Sequence, residues 1–367
     1  MKCVAIETRR DLYELLESRM RKTYEKLKEE QELEAGENLL KTYVIESNLD
    51  SIALLQKVDE FQIKIERTKD ETLYIMKVQK DGKPHSTFYV DISDPRFWIL
   101  HTLSRSERTD QFISKFVFAI SNNLDFPWFD TYFLEDLVKN GIFRGFTLKF
   151  EEKIMDDEKI PVKSLSMRLW GEAASRILDV LRRDVNLKYS TALSGVGLKH
   201  IFDSNGDFVI EDITYNAKFT ARGTTVDGHL FIVRKVIGEY KRKLKTIEQN
   251  SIKYEILDLG YKILGEPVAI LFRKEIENLD KFLDGLLSST RPFRLWGLKK
   301  QISKNYYKAV CVDLHTAHKL TIEVTPEWMR IYLPYGACGN TVLRLLTNIQ
   351  QYYDSEAMLM VGGDEII

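Results

Sequence analysis

The chain has 367 residues, of which 44% are hydrophobic, 11% aromatic and 30% charged; this is enough apolar sequence for several buried cores and excludes a disordered composition. Its three cysteines, Cys3, Cys311 and Cys338, are too few and too odd in number for a disulfide framework, so a reducing, cytoplasmic setting is expected. The opening residues turn charged without an apolar h-region, and no window approaches ~18 consecutive apolar residues, so neither a signal peptide nor a membrane-spanning helix is expected.

In chain order, a short strand is expected at Lys2 to Ile6, then one helix over residues 9–34, in which Leu12, Leu15, Leu16, Met20, Tyr24 and Leu27 recur at spacings of three and four. Pairs such as Glu25 with Lys28 and Lys26 with Glu30 make its later part a solvent-facing surface open to a protein partner, and Ala35-Gly36 stops it. FQIKIER, TLYIMKVQ and STFYVDI then read as strands, with DGKP as a hairpin turn between the second and third. PRFWILHT is a further extended run, and SERTDQFISKFVFAISN places Phe112, Ile113, Phe116 and Ile120 on one helical face.

FPWFDTYFLEDLVKNG reads as a short helix, GFTLKFEEK and KSLSMRLW as strands, and EAASRILDVLRRD as an amphipathic helix. The glycines of SGVG (Ser194 to Gly197) suggest a turn rather than a dinucleotide fingerprint, because no third matching glycine follows. GLKHIF, DFVIEDI and NAKFTAR are expected strands, with DSNGD a turn, and they lead into one long helix, VDGHLFIVRKVIGEYKRKLKTIEQ. The last third reads as a strand at PVAILFR, a helix at EIENLDKFLDGLLSS, strands at FRLWG, YKAVCVDLH, KLTIEV and MRIYLP, and a helix through NTVLRLLTNIQQYY.

This order gives an α+β fold of two or three packed sheet-and-helix units. The segments are an N-terminal helix at 1–36, an α+β unit at 37–140, another at 141–250 with the long helix at its end, and a last one at 251–367. Three windows of equal length, Arg96–Ile120, Asn216–Tyr240 and Met329–Tyr353, superpose without gaps as strand, turn and helix, and Phe112, Ile232 and Leu345 coincide. Internal duplication is one reading; the shared periodicity of amphipathic helices is the other.

Side chains suited to chemistry are scattered. In CVDLHTAH, Cys311, Asp313 and His315 share a strand face, with His318 and Cys338 nearby in sequence, but the spacing matches no usual zinc pattern. Glu151, Glu152 and Lys153, or Glu211, Asp212 and Lys218, have the carboxylate and lysine content of a metal-dependent nuclease site. No GxSxG elbow and no GxxxxGK[ST] loop is present. No catalytic residue, metal ligand or cofactor is therefore assigned.

Formal net charge is −1, but its distribution is uneven, at roughly −6 over residues 1–160, +8 over 161–325 and −3 beyond. Within the basic block, Lys235, Lys241, Arg242, Lys243 and Lys245 crowd the end of the long helix, while Arg294, Lys299 and Lys300 follow around Trp296. Cations for phosphates beside aromatic faces for bases suit single-stranded nucleic acid; the same cations also complement a helix C-terminus. The leading expectation is a non-enzymatic DNA- or RNA-binding or scaffolding protein that uses these nine residues. A metal-dependent nuclease or other hydrolase, and a protein-binding assembly component, are the alternatives.

Overall fold

The structure is a computed structural model that describes residues 6–29, 38–49, 51–52, 57–120, 123–155, 162–202 and 206–362, and the backbone of 364–366. Most of the strand expected at Lys2 to Ile6, the Ala35-Gly36 stop and most of the DSNGD turn lie outside the described residues. Two compact units emerge, each assembled from two stretches of chain: Met1–Pro127 with Gly197–Lys235, and Trp128–Val196 with Val236–Ile367.

The first unit opens with α1 (Arg9–Glu29), β1 (Leu40–Ser47), β2 (Lys57–Val58), β3 (Phe61–Arg67), β4 (Leu73–Lys80), β5 (Lys83–Asp91), β6 (Phe97–Thr102), α2 (Ser106–Ala119) and β7 (Leu124–Asp125). The second unit then takes α3 (Thr131–Val138), β8 (Ile142–Glu151), β9 (Ser164–Trp170) and α4 (Ala174–Arg183). Within β10 (Leu193–Ile201) the chain returns to the first unit, adding β11 (Phe208–Thr214), β12 (Lys218–Gly223) and the start of α5 (Val226–Gln249). From Val236 onward everything belongs to the second unit: β13 (Lys253–Leu257), β14 (Gly260–Leu264), β15 (Val268–Leu271), α6 (Leu279–Leu286), β16 (Leu295–Ser303), β17 (Tyr306–Asp313), β18 (Lys319–Val324), β19 (Trp328–Tyr332), α7 (Asn340–Tyr352), β20 (Met358–Val361) and β21 (Asp364–Ile366). The fold is α+β, as the alternation of periods predicts, and each of the three superposed windows is a strand followed by a helix.

In the first unit the strand order is β2-β3-β4-β5-β6-β1-β12-β11, with β10 beyond β11. The DGKP hairpin forms as expected: Asp81 and Gly82 both adopt positive φ, 51° and 70°, between the paired Lys80 and Lys83, which matches the twist a two-residue turn needs. One face of the sheet is covered by α2, where Phe112 stacks with Phe116, lies tilted to Phe88 and meets Phe61 edge to face. On the other, α1 buries Leu12, Leu16 and Met20 and packs on β12 and β1, so its apolar stripe is spent within its own unit.

In the second unit the sheet runs β16-β17-β18-β19-β15-β20-β21. Alternation along β17 and β18 buries Ala309, Cys311, Leu320, Ile322 and Val324, while Trp296, Leu298 and Val310 are exposed, so the β16–β17 end of the sheet is half wet. Helix α7 departs from the amphipathic expectation: every residue from Asn340 to Gln351 is buried, polar ones included. No described helix is long and apolar enough to cross a membrane.

One local expectation is corrected. Ser194 to Gly197 is not a turn but lies inside β10, where the strand is buried from Leu193 to Leu198. Glycine in a strand marks close packing as readily as a turn, and burial decides here.

Candidate functional site

The second half of α5 sets out the expected basic residues by helical spacing. Lys241, Arg242 and Lys245 are exposed, with Lys241 and Lys245 one turn, about 6 Å, apart on the same side. Burial of its stem lowers the Lys241 pKa from the ordinary lysine value. Lys243 points the other way and is committed: its Nζ donates to Asp130 Oδ2 at 3.0 Å, with both side chains largely buried. Asp130 also caps α3 by accepting the backbone N–H groups of Tyr132 and Phe133. Between these positions lies an open cleft of about 560 Å³, lined by Glu239, Arg242, Lys243 and Thr246, by Asn250 just past the helix, and by Val361 and Gly362. Lys235 is exposed on the first-unit part of α5.

The remaining expected residues stand on or beside β16. Trp296 is 55% exposed and Lys300 is exposed on the same face. Lys299 faces the opposite way and pairs with Asp280 and Asp284 at 2.8 and 2.7 Å; those contacts raise its pKa against the opposing effect of burial. Arg294 is only 3% exposed, so its guanidinium offers no surface cation. The eight of these residues that lie in the second unit therefore do not form one patch. Three cluster on α5, Trp296 and Lys300 on β16, and Lys243, Lys299 and Arg294 are withdrawn into pairs or core.

The acidic triplets dissolve. Glu151 pairs with Lys153 at 2.8 Å, and Glu152 Oε1 accepts the N–H groups of Ile154 and Met155 as a turn cap. Glu211 and Asp212, adjacent in β11, project to opposite faces of the sheet, and Lys218 is held by both oxygens of Asp110 at 2.7 Å. In CVDLHTAH, Cys311, Asp313 and His315 do share a buried side. The Cys311 S–H donates to Leu320 O, and burial, with Asp313 nearby, pushes its thiol up to about 12, far from a reactive thiolate. Asp313 accepts from Arg344 and from the Thr341 and Thr316 hydroxyls.

The first unit holds a polar chain that no motif announces. Thr42 of β1 lies directly across from His101 of β6, and Glu211 of β11 lies across from Ala221 of β12, which in turn faces Leu40 of β1. Period two places Thr42, His101 and Glu211 on one face of the sheet. The first turn of α5 sets His229 over that face. Thr42 Oγ1 is 2.8 Å from His101 Nδ1 and 2.7 Å from His229 Nε2, and His229 Nδ1 is 2.5 Å from Glu211 Oε1. A threonine hydroxyl has one proton, so Thr42 donates to one imidazole and accepts from the other. In the tautomer whose His229 Nδ1–H donates to the carboxylate and whose Nε2 accepts, Thr42 donates to His229 and accepts from His101 Nδ1–H. Burial, and then the neighbouring His229, lower the His101 pKa to about 3, so this ring is neutral at ordinary pH.

Hydroxyl, imidazole and carboxylate in this order repeat the hydrogen-bond sequence of an activated nucleophile. All four residues are at most 2% exposed, however, so no substrate atom reaches Thr42 in this conformation, and the chain acts as a buried relay that ties β1, β6, β11 and α5 together. Glu211 Oε2 is buried without a hydrogen-bond partner.

A family model described as MJECL33-like protein matches residues 1–367. The chain belongs to that family. It is 34% identical to "Uncharacterized protein MJECL33" of Methanocaldococcus jannaschii, a match that spans 97% of this chain and 94% of the relative.

In this MJECL33-like protein the relay residues sit 59 and 187 positions apart along the chain, at Thr42 to His101 and Thr42 to His229. A lone histidine in an apolar run, as in FWILHT and VDGHLFIV, is the one signal the sequence offers for them. It is a weak signal, since a histidine held by ordinary core hydrogen bonds gives the same pattern.

Proposed function

We propose that this MJECL33-like protein binds nucleic acid without catalysis, and that the solvent face of the second half of α5 is its phosphate contact. The observation that carries this reading is the trio Lys241, Arg242 and Lys245, exposed within about one helical turn, of which Arg242 also lines the cleft. Aligned cations on a rigid helix meet a polyanion at little entropic cost, and each phosphate contact releases counterions. Trp296 and Lys300 on the wet face of β16 offer a second patch with an aromatic face for a base. A hydrolase reading has less support, because the acidic triplets are spent in turns and ion pairs and the hydroxyl–imidazole–carboxylate chain has no open approach.

Binding of the purified protein to single-stranded DNA and RNA at a series of salt concentrations tests the proposal. Replacing Lys241, Arg242 and Lys245 together by glutamate is expected to weaken binding at least about tenfold and to flatten the salt slope by about 2. Lys299→Gln removes a cation already held by two carboxylates and leaves affinity within about twofold. Unchanged affinity and slope in the triple variant would falsify the reading.

A further inference from the structure

The β13–β14 hairpin carries the largest apolar exposure among the described residues of the second unit. Tyr254, Ile256, Tyr261 and Ile263 are 69%, 79%, 73% and 63% exposed, and Leu259 at the tip is 100% exposed. The register sets Tyr254 opposite Ile263 and Ile256 opposite Tyr261, so all four share one face of the ribbon. The other face holds Lys253, the cross-strand pair Glu255 and Lys262, and two leucines, Leu257 and Leu264, that are 49% and 37% exposed. One side mixes charges with two leucines; the other is a plate of two tyrosines and two isoleucines.

The plate has a firm base. Ile252 N–H donates to Leu333 O at 2.7 Å, Tyr335 N–H to Ile252 O at 3.0 Å and Glu266 N–H to Asn250 O at 3.0 Å. At Gly265 φ is +89°, and a Cβ there would lie 2.3 Å from Ser251 O, so the exit of the hairpin admits only glycine. Beyond this base a two-stranded ribbon is marginal in water by itself, and an apolar plate on it is stabilised by being covered.

We propose that the plate is the contact between two copies of this chain. The two strands read Tyr254-Glu255-Ile256 and Tyr261-Lys262-Ile263 in antiparallel register, so a half-turn about the middle of the plate exchanges tyrosine with tyrosine and isoleucine with isoleucine. Two-fold association requires a self-complementary patch, and this symmetry lets each tyrosine of one copy meet an isoleucine of the other. The size fits as well: the five exposed apolar side chains, Leu259 included, offer on the order of 700 Å² per chain, against the ~800 Å² that each partner gives to a standard interface. Charge does not oppose the pairing, because Lys253 and Lys262 balance Glu255 and Asp258.

Analytical ultracentrifugation of the full chain from about 1 to about 100 μM tests the proposal. The unaltered protein is expected to be dimeric at the upper end, and the double variant Ile256→Glu, Tyr261→Glu to be monomeric, its dissociation constant raised at least about 100-fold with an unchanged circular dichroism spectrum. The charge swap Glu255→Lys with Lys262→Glu, on the opposite face, leaves the dimer intact. A measurement free of substitutions accompanies it: amides of residues 254–263 exchange more slowly at high than at low protein concentration. A chain that is monomeric throughout, a double variant that dimerises as well as the unaltered protein, or hairpin exchange indifferent to concentration, would each overturn the assignment.

Discussion

Each unit buries a polar network, and the two are closed by different chemistry. In the second unit Arg344 of α7 and Asp313 at the end of β17 form a fully buried ion pair; Asp313 also accepts the Thr341 hydroxyl, and Arg344 Nε donates to Phe293 O at 3.0 Å. Burial pushes the Asp313 carboxyl up, but Arg344, and then His315 and Thr341, outweigh it and hold it at about 2. In the first unit the chain from His101 to Glu211 instead depends on a neutral imidazole and a single shared hydroxyl. The ionic network keeps its charge state over most of the pH scale, whereas protonating His101 would leave its contact with Thr42 in place but put a charge on a buried ring.

The largest test breaks the ionic network. Asp313→Ala leaves the Arg344 guanidinium buried without its carboxylate and is expected to cost about 3–5 kcal/mol in denaturant unfolding. A loss below about 1 kcal/mol would mean that water reaches Arg344.

Acidification comes next and separates the two units. The folded pKa of His101, about 3, lies below its ordinary 6.5, so below pH 6.5 the unfolded chain binds the extra proton and stability falls as pH falls. At pH 5 this amounts to on the order of 2 kcal/mol. Asp354 in the second unit works the other way: burial raises its pKa to about 6 despite N–H donors from Lys274, Arg273 and Glu356, so the folded state takes the proton first and gains stability as pH falls through 6. Hydrogen exchange at pH 7 and pH 5, corrected for intrinsic rates, should show β1 and β6 losing protection while β17 and α7 keep theirs. Equal losses in both units would remove the distinction.

The smallest effect sharpens the account of the relay. Thr42→Val keeps the shape and deletes the hydroxyl that serves both rings, with an expected loss of about 1–2 kcal/mol in denaturant unfolding, while Thr42→Ser stays within about 0.5 kcal/mol. A neutral Thr42→Val would assign the relay no role in stability.

Much of the secondary structure is legible in the sequence, because long helices and wet strands advertise their period: α5 runs from Val226 to Gln249, as its pattern predicts. Strand β1 is not legible. All eight residues of LKTYVIES are buried, Lys41, Thr42, Glu46 and Ser47 among them, so there is no alternation to read. Lys41 shows the cost of that burial, which, with Lys218 nearby, lowers its pKa to about 8. The β13–β14 hairpin fails in the opposite sense, since apolar and charged residues alike are exposed along it, so burial does not follow hydrophobicity. For the candidate site, the sequence lists the cations but not their partners; Asp130, Asp280 and Asp284 lie 113, 19 and 15 residues from the lysines they hold, and only the fold subtracts them from the surface.

The placement of β12 beside β1 bears on how the protein is made. Leu40 to Tyr43 pair with Lys218 to Ala221, so this part of one edge of β1 waits for a segment that leaves the ribosome about 180 residues later, while β7 pairs with Glu46 and Ser47. Until then β1 has an open edge along a run rich in β-branched and aromatic residues, which is the kind of edge that recruits other strands. The first unit therefore cannot close co-translationally from its N-terminal stretch alone, and a nascent chain that ends before β12 carries this unpaired stretch of β1.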